Sequence, residues 1–285
     1  MNNRIFNVYI LIVFFLGVVR PCMSFDFKVM SWNIRYDSKK DKENDWANRK
    51  TYLLKYIKKE NPDIICLQEV LDHQKNYLVS NLQAYDCVGV GRNDGQKKGE
   101  YAPVLFKRKR FDLIESGWFW LSETPDIVGS VGWDAQQTRM VTWVKLKEKK
   151  SRKTFIVMST HFDHIGNKAR VHSAELVKTW IASNATDEGV ILAGDFNGTK
   201  NTEMYKTLLK DNWLIDSFFS AKVRKGVEYT FHGFGMIPQK KRVKIDFVFA
   251  SNNLIVKEIN IPKEENFHGC YCSDHCPIIC KFVID

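Results

Sequence analysis

GVILAGDFNG, residues 189–198, is the stretch that decides the fold class. Its first half is rich in β-branched and aliphatic residues and predicts a β-strand. The apolar run ends at Asp195 and Asn197, a carboxylate and an amide that would be costly to bury without partners. A strand that ends in polar residues is typical of an open α/β sheet, which binds ligands at the ends of its strands.

Strands alternate with helical stretches through the rest of the chain. Further strands are predicted for DFKVMSWNIRY (26–36), DIICLQEV (63–70), APVLFKR (102–108), MVTWVKL (140–146), TFIVMSTHF (154–162), KIDFVFAS (244–251) and PIICKFVI (277–284). Apolar residues at helical spacing predict helices over 46–62 and 167–185. No linker rich in Gly, Ser or Pro divides the chain, so we expect a single α/β domain over residues 25–285.

The N-terminus is predicted to be a signal peptide, residues 1–24. Arg4 precedes the apolar run IFNVYILIVFFLGVV (5–19), which is short for a membrane span, and Ser24 is small enough for the cleavage site. We therefore expect a secreted or periplasmic protein with no stable membrane span after cleavage. The alternative is an uncleaved N-terminal anchor.

The chain is basic. Removing residues 1–24 takes away Arg4 and Arg20 and no acidic residue, which leaves 41 basic and 33 acidic residues, a net charge of +8. That excess predicts an anionic partner such as nucleic acid, a phosphate ester or a membrane surface. The surplus lies in KRKR (107–110), KLKEKKSRK (145–153), KVRK (222–225) and QKKRVK (239–244), each of which could equally be a solvated turn.

Six cysteines remain after the predicted cleavage: Cys66, Cys87, Cys270, Cys272, Cys276 and Cys280. An even number in an exported protein permits disulfides, but their pairing cannot be deduced from sequence. His268, His275 and the nearby cysteines offer enough ligands for zinc. Structural zinc sites usually draw ligand pairs from two separated segments, however, and the sequence has no second pair, so zinc is disfavoured.

Polar residues lie at the ends of most predicted strands. They are Asn33, Glu69, His161, Asp195, Asn197, Asp246 and the pair Asp274-His275. One such residue is most often a turn former or a satisfied hydrogen-bonding group. Several at strand ends indicate convergence on one site.

These residue types suit metal-assisted hydrolysis. Asn33, Glu69 and Asp274 offer hard oxygen ligands, which suit Mg²⁺ or Mn²⁺. His275 could act as a base or hold a phosphate oxygen, with Asp246 fixing its tautomer. Asp195 with Asn197 could orient a water molecule. The sequence has no recognisable nucleophile elbow, which favours direct attack by water on phosphorus.

Six short motifs, taken in order, resemble the endonuclease/exonuclease/phosphatase superfamily: SWNIR, LQEV, STHFDH, GDFN, IDFVF and SDHCP. The likeness spans residues 25–285 and is closest to a secreted branch near the deadenylase-type nucleases. It implies a four-layered α/β/β/α sandwich, in which two packed mixed β-sheets are flanked by helices. It also implies a divalent-metal-dependent phosphoesterase.

The resemblance assigns roles to the matching positions. Glu69 would be the principal Mg²⁺ ligand, with Asn33 and Asp274 close by. The implied catalytic residues are His161, Asp195, Asn197, Asp246 and His275. Asn197 would also contact the phosphate, as would Arg139 in QTRMVTW, and Glu100 in KGEYAPVLF would partner His161. Glu100 and Arg139 rest on one matching residue each, and either could be an ordinary strand-edge charge.

The cysteines around Asp274 and His275 depart from the family pattern. A bridge from Cys270 or Cys272 to another cysteine would stiffen the loop that presents this pair.

The superfamily does not fix the substrate. The positive charge favours DNA or RNA, and we expect a monomeric nuclease. The alternatives are an inositol phosphate or a phospholipid head group, as in sphingomyelinases. An inactive secreted binding protein on the same scaffold is a further alternative, which the complete set of site residues disfavours.

Overall fold

A computed structural model of the protein describes residues 24–264, 266–267 and 269–284. The predicted signal peptide up to residue 23 and His268 therefore lie outside the described residues, and the boundary after Ser24 stays a prediction. Within the described ranges, no helix has both the length and the apolar character needed to cross a bilayer.

The strands alternate with helices as the sequence predicts. The strands are β1 (Phe25–Asn33), β2 (Ile64–Gln68), β3 (Tyr85–Val88), β4 (Val104–Lys107), β5 (Phe111–Trp120), β6 (Met140–Glu148), β7 (Thr154–His161), β8 (Gly189–Asp195), β9 (Leu214–Asp216), β10 (Val223–Gly226), β11 (Asp246–Ser251), β12 (Ile255–Ile261), β13 (Asn266–Phe267), β14 (Cys270–Tyr271) and β15 (Ile278–Ile284). The helices are α1 (Trp46–Glu60), α2 (Asp72–Asn81), α3 (Asn167–Asn184), α4 (Glu203–Leu209) and α5 (Ser217–Ser220), with 3-10 turns over Lys39–Asn44 and Gln239–Lys241.

Two mixed sheets form the centre of the molecule. The larger has the strand order β10-β12-β15-β1-β2-β4-β3, and the second has the order β5-β6-β7-β8-β11-β9. Their facing sides share one core, in which the rings of Phe27 on β1 and Phe155 on β7 lie 4.8 Å apart between centroids. β13 and β14 form a separate two-stranded ribbon just before β15.

Helices cover the outer face of each sheet. Leu53 and Ile57 of α1 pack with Met30 of β1 on the outside of the larger sheet. On the other side, Val177 and Ile181 of α3 belong to a cluster with residues of β7 and β8. These layers confirm the predicted α/β/β/α sandwich.

Local sequence explains the limits of α1. Its first turn is capped by Asp45, whose carboxylate accepts a hydrogen bond from the Asn48 backbone N–H at 3.2 Å. It ends at Asn61, which adopts a left-handed conformation, and Pro62 cannot continue a helix. The chain therefore leaves α1 at this point and continues into β2, which runs parallel to β1.

Candidate active site

Strand register brings the predicted site residues to one edge of the sandwich. β1 and β2 run parallel and end together, where Asn33 pairs with Gln68. In the other sheet β7 and β8 also run parallel, and His161 pairs with Asp195 at their carboxyl ends. β11 runs antiparallel to β8, so its first residue, Asp246, also pairs with Asp195.

These ends surround a cleft of about 440 Å³. Eight of the ten predicted site residues line it: Glu69, Glu100, Arg139, His161, Asp195, Asn197, Asp274 and His275. The other two lie directly behind the lining, since Asn33 is hydrogen-bonded to Asp195 and Asp246 to His275. Convergence at strand ends thus joins both sheets in a single site.

Asn33 connects carboxylates that come from the two sheets. Its Nδ2 donates to Glu69 Oε1 and to Asp195 Oδ2, each at 3.0 Å. Its Oδ1 accepts from the Arg35 backbone N–H at 2.9 Å. The amide nitrogen therefore faces the carboxylates, and a role for Asn33 as a metal ligand stays a prediction.

Glu69 leaves β2 in a conformation that is uncommon for a residue with a long side chain. Its φ is +60°, in the left-handed region. Its Oε2 accepts from the Tyr36 backbone N–H at 3.1 Å and lies 3.7 Å from an Arg35 guanidinium nitrogen. Such local backbone strain is typical of functional sites, where surrounding contacts hold the side chain in place.

Asp195 is a buried carboxylate with a pKa suited to proton transfer. Burial, and then the nearby Asp246 carboxylate, raise its pKa to about 7. Its Oδ1 accepts from the Asn197 backbone N–H at 2.9 Å. A group with this pKa can take a proton from water near neutral pH.

His161 faces the cleft as a neutral ring. Its Nε2 lies 3.0 Å from Asn197 Nδ2, an amide donor, so the ring proton belongs on Nδ1. Burial, and then the guanidinium groups of Arg139 and Arg92, hold its pKa well below the ordinary range. Nδ1 is buried and makes no hydrogen bond within the described part of the chain.

His275 and Asp246 form a buried charged pair. The Nδ1 of His275 lies 2.8 Å from Asp246 Oδ2, and its Nε2 lies 3.8 Å from Asp195 Oδ2. Burial would lower the pKa of His275, but the carboxylates of Asp246, Asp195 and Asp274 together outweigh it and raise the pKa to about 10. His275 is therefore a cation at neutral pH.

Glu100 is engaged mainly by an arginine. Arg92 forms a two-pronged ion pair with it, at 2.8 and 3.0 Å. Its Oε2 lies 3.7 Å from His161 Nδ1, beyond hydrogen-bond distance, and burial raises its pKa. The resemblance implied His161 as its partner, and that role stays a prediction.

Arg139 lies almost buried in the cleft wall, 4 % exposed. Its Nε is 3.4 Å from Asp163 Oδ2 and its Nη2 is 3.1 Å from His164 Nδ1. Nη1 is buried without a hydrogen bond to any described residue. The unused donor beside the cleft suits the predicted contact to a phosphate oxygen.

Sequence reasoning missed two further arginines in the cleft. Arg35 belongs to the SWNIR motif and is held by Asp41, at 2.9 and 3.0 Å. Arg92 lies in GVGRNDG (89–95), which has no strand or helix pattern that would mark it as functional. In the sequence, the only feature that marks either arginine is that it lies near a predicted site residue.

The donor atoms fit a hard divalent cation. The carboxylates of Glu69, Asp195 and Asp274 line one cleft and offer it several oxygen ligands, and burial raises the pKa of both aspartates. Asp195, Asp246 and His275 also place ligand atoms within 4.8 Å of one another. We assign His275 and Asp246 to each other instead, because their hydrogen bond uses one ligand atom of each.

The cysteines correct one expectation from the sequence. The six cysteines form no disulfide in the described part of the chain. Cys66, Cys276 and Cys280 are buried in the core between the sheets, whereas Cys272 belongs to the outer core under α1. They serve as small apolar core residues, so packing and not covalent bridging braces the loop of Asp274 and His275.

Known proteins share this fold. The model of the Endonuclease/Exonuclease/phosphatase family matches residues 30–275. An endonuclease/exonuclease/phosphatase from Bacteroides vulgatus is 38 % identical, with a TM-score of 0.89 over 92 % of this chain and 100 % of that one. The mannosyl-6-phosphatase of Bacteroides thetaiotaomicron is 31 % identical, with a TM-score of 0.82 over 90 % of this chain and 99 % of that one.

Sequence comparison also finds a relative among the deadenylase-type proteins named by the resemblance. Nocturnin of Drosophila melanogaster is 26 % identical over 221 residues, which are 66 % of this chain and 31 % of that protein. The two packed sheets flanked by helices agree with these matches. The chain belongs to the Endonuclease/Exonuclease/phosphatase family and is a phosphoesterase.

Proposed function

We propose that the protein is an Mg²⁺-dependent phosphomonoesterase that releases phosphate from a sugar phosphate. The observation that carries the proposal is the cluster of three guanidinium groups in the cleft, those of Arg35, Arg92 and Arg139. A terminal phosphate carries up to two charges and three unesterified oxygens. It therefore uses more cationic donors than the singly charged diester of a nucleic acid.

The walls of the cleft support a substrate that ends at the phosphate. Two loops, residues 89–103 and 121–139, pack together where the Trp120 indole donates to the Arg92 carbonyl at 2.7 Å. At Gly129 a side chain would meet the Asn93 carbonyl at 2.6 Å, so the loops are in close contact. These loops supply Arg92, Glu100, Gln137 and Arg139 to the lining of the cleft, which gathers donors for a terminal phosphate in one place.

One solved relative, the mannosyl-6-phosphatase, supports the same choice. It is 31 % identical with a TM-score of 0.82, whereas the human Nocturnin catalytic domain, of which 93 % is covered, is 21 % identical with a TM-score of 0.68. A cleft of about 440 Å³ suits a ligand of the size of a hexose phosphate.

The proposed chemistry is in-line attack of water on phosphorus. Asp195 takes the proton of the attacking water, and the bond from phosphorus to the sugar oxygen breaks. Protonated His275 holds an unesterified phosphate oxygen. The others are bound by Nη1 of Arg139 and Nε of Arg92, two buried donors that have no hydrogen-bond partner among the described residues. Arg35, which is paired with Asp41, adds its charge nearby. The released sugar oxygen takes its proton from solvent.

Glu69 and Asp274, with Asp195 beside them, are the residues that would hold Mg²⁺, and Mn²⁺ suits the same oxygens. When bound, such a cation neutralises charge that develops on the phosphate oxygens. We further propose that residues 1–24 direct export and that the mature chain acts as a monomer.

A nuclease is the second candidate. The net charge of +8 after removal of residues 1–24 and the similarity to Nocturnin favour it. The test offers residues 25–285 mannose 6-phosphate, an inositol phosphate and a 3′-adenylated RNA in parallel, with and without Mg²⁺. We expect phosphate release from the sugar ester at the highest kcat/KM; faster cleavage of the RNA would overturn the proposal.

A further inference from the structure

A second pocket is lined by residues that lie close in the chain to residues of the cleft. Its volume is about 340 Å³, and its lining includes Lys200, Phe219, Arg224, Glu228 and Lys244. Nothing in the chemistry proposed above uses it. We propose that this pocket is a subsite for a second sugar ring, so that the substrate is a phosphorylated oligosaccharide.

The pocket and the cleft share a wall. Thr199 lines the pocket two residues after Asn197, which lines the cleft. Val243 lines the pocket, and Ile245, two residues on, lines the cleft. Two residues of extended chain span no more than about 7 Å. A substrate with its phosphate in the cleft can therefore reach the pocket with the next part of the same molecule.

The floor of the pocket is aromatic and rigidly held. The ring of Phe219 is 52 % exposed and meets Phe218 edge to face, with 5.4 Å between centroids. Lys244 Nζ lies 4.4 Å from the Phe218 centroid and 3.3 Å from Asp216 Oδ2. Asp216 also accepts from the Phe218 backbone N–H at 2.8 Å. Lys200 Nζ lies 5.4 Å from the centroid of the Phe219 ring. The part of the ring that stays exposed can stack against the C–H face of a pyranose ring.

The rim of the pocket carries charges of both signs. Asp216 already neutralises Lys244, which leaves Lys200 and Arg224 as cations and Glu228 as an anion. Sugar hydroxyl groups both donate and accept hydrogen bonds, so they match donors and acceptors of both signs.

The inference rests on the proposed sugar phosphatase activity, and the test separates the two. We would measure kcat/KM for mannose 6-phosphate and for mannobiose phosphorylated at the 6-position of one ring, using residues 25–285 with Mg²⁺. We expect the disaccharide to be preferred by about tenfold or more. Phe219→Ala should bring the ratio of the two values towards one, chiefly through KM.

Ile114→Ala serves as the matched control, because Ile114 is a similarly exposed apolar residue on β5. It should retain the wild-type ratio. Melting temperatures establish that each variant is folded. A wild-type ratio near one, or a ratio that survives Phe219→Ala, would overturn the subsite.

Binding of unphosphorylated mannobiose, followed by saturation-transfer NMR, tests the pocket without catalysis. Transfer that Phe219→Ala abolishes supports the subsite, even if no sugar phosphate is hydrolysed and the proposed activity fails. Transfer to a single-stranded oligonucleotide in place of mannobiose would overturn the subsite and assign the pocket to a nucleobase. Hydrolysis of mannose 6-phosphate without any transfer would leave the activity standing and reject the pocket.

Discussion

The Nδ1 atom of His275 lies 2.8 Å from Oδ2 of Asp246, and the two side chains are only 5 % and 2 % exposed. A buried carboxylate this close keeps the imidazole protonated, which fixes the charge that meets the phosphate. The pair joins β11 of one sheet to the segment before β15 of the other. The electrostatics of the site therefore depend on the packing of the two sheets.

The first prediction concerns the alkaline limb of the pH profile. The pKa of His275 is raised to about 10, so the imidazole loses its proton, and we expect kcat/KM to fall, only as the pH passes that value. Asp246→Asn removes the carboxylate that raises the pKa most, so burial, which lowers it, is opposed only by Asp195 and Asp274. We expect the alkaline limb to move to lower pH and kcat at pH 8 to drop by about 10². An unshifted limb in the folded variant would contradict this role for Asp246.

Asp195→Asn should stabilise the metal-free protein while it abolishes activity. The folded state raises the pKa of Asp195 to about 7, so it binds the proton more tightly than the unfolded chain does. The free energy of unfolding therefore falls as the pH rises from about 4 to about 7. The amide side chain that replaces the carboxylate does not titrate, so the Asp195→Asn variant does not lose this stability. We expect the melting temperature, measured in chelator at pH 7.5, to rise by several degrees, because each kcal/mol of added stability raises it by about 2–4 °C. A lower melting temperature would show that the Asp195 carboxylate is stabilising.

Substitutions of Arg92 and Glu100 should have non-additive effects on the free energy of unfolding. Arg92→Met leaves the half-buried Glu100 carboxylate without its cation. Such a loss costs about 3–5 kcal/mol in fully buried pairs, and we expect a smaller cost here because Glu100 lines the cleft. Adding Glu100→Gln should restore part of that loss, because the amide carries no charge to bury. Urea unfolding of the two single variants and the double variant measures the coupling. Additive effects would mean that the pair does not act as a unit.

Counting the reactive thiols tests directly whether the cysteines of the core are free of disulfides. Residues 25–285 contain six cysteines, and the structure has no disulfide among them. Protein purified without reductant and then denatured should therefore react with six equivalents of a thiol reagent. Four or fewer would show that oxidation forms a bridge after export. Native protein should react slowly, because burial raises the pKa of Cys66 and Cys280.

Much of the fold was predictable because the buried strands are apolar and end at chemically distinctive residues. All eight predicted strands and both predicted helices are present. β5 was not predicted: four successive residues in it are exposed and its register shifts between Leu113 and Glu115, so no alternating pattern marks it. α2 was missed as well, since only Gln74 and Leu78 of its ten residues are buried.

The site was predictable to the extent that polar residues follow apolar strands. Glu69, Asp195 and His275 stand out in this way. Arg35 and Arg92 do not, because arginines in loops are common and only the fold brings them to the cleft. The disulfide expectation was wrong because spacing along the sequence does not tell whether a cysteine faces a core or another cysteine.

The most direct test of the account is phosphate release from mannose 6-phosphate by residues 25–285, with Mg²⁺ or chelator, beside the variants His275→Ala and Glu69→Gln. We predict release that chelator abolishes and that each substitution lowers by about 10² or more, with melting temperatures that show folded protein. Release that persists in chelator or in His275→Ala would contradict the site. Cleavage of RNA with no phosphate release from the sugar would contradict the substrate.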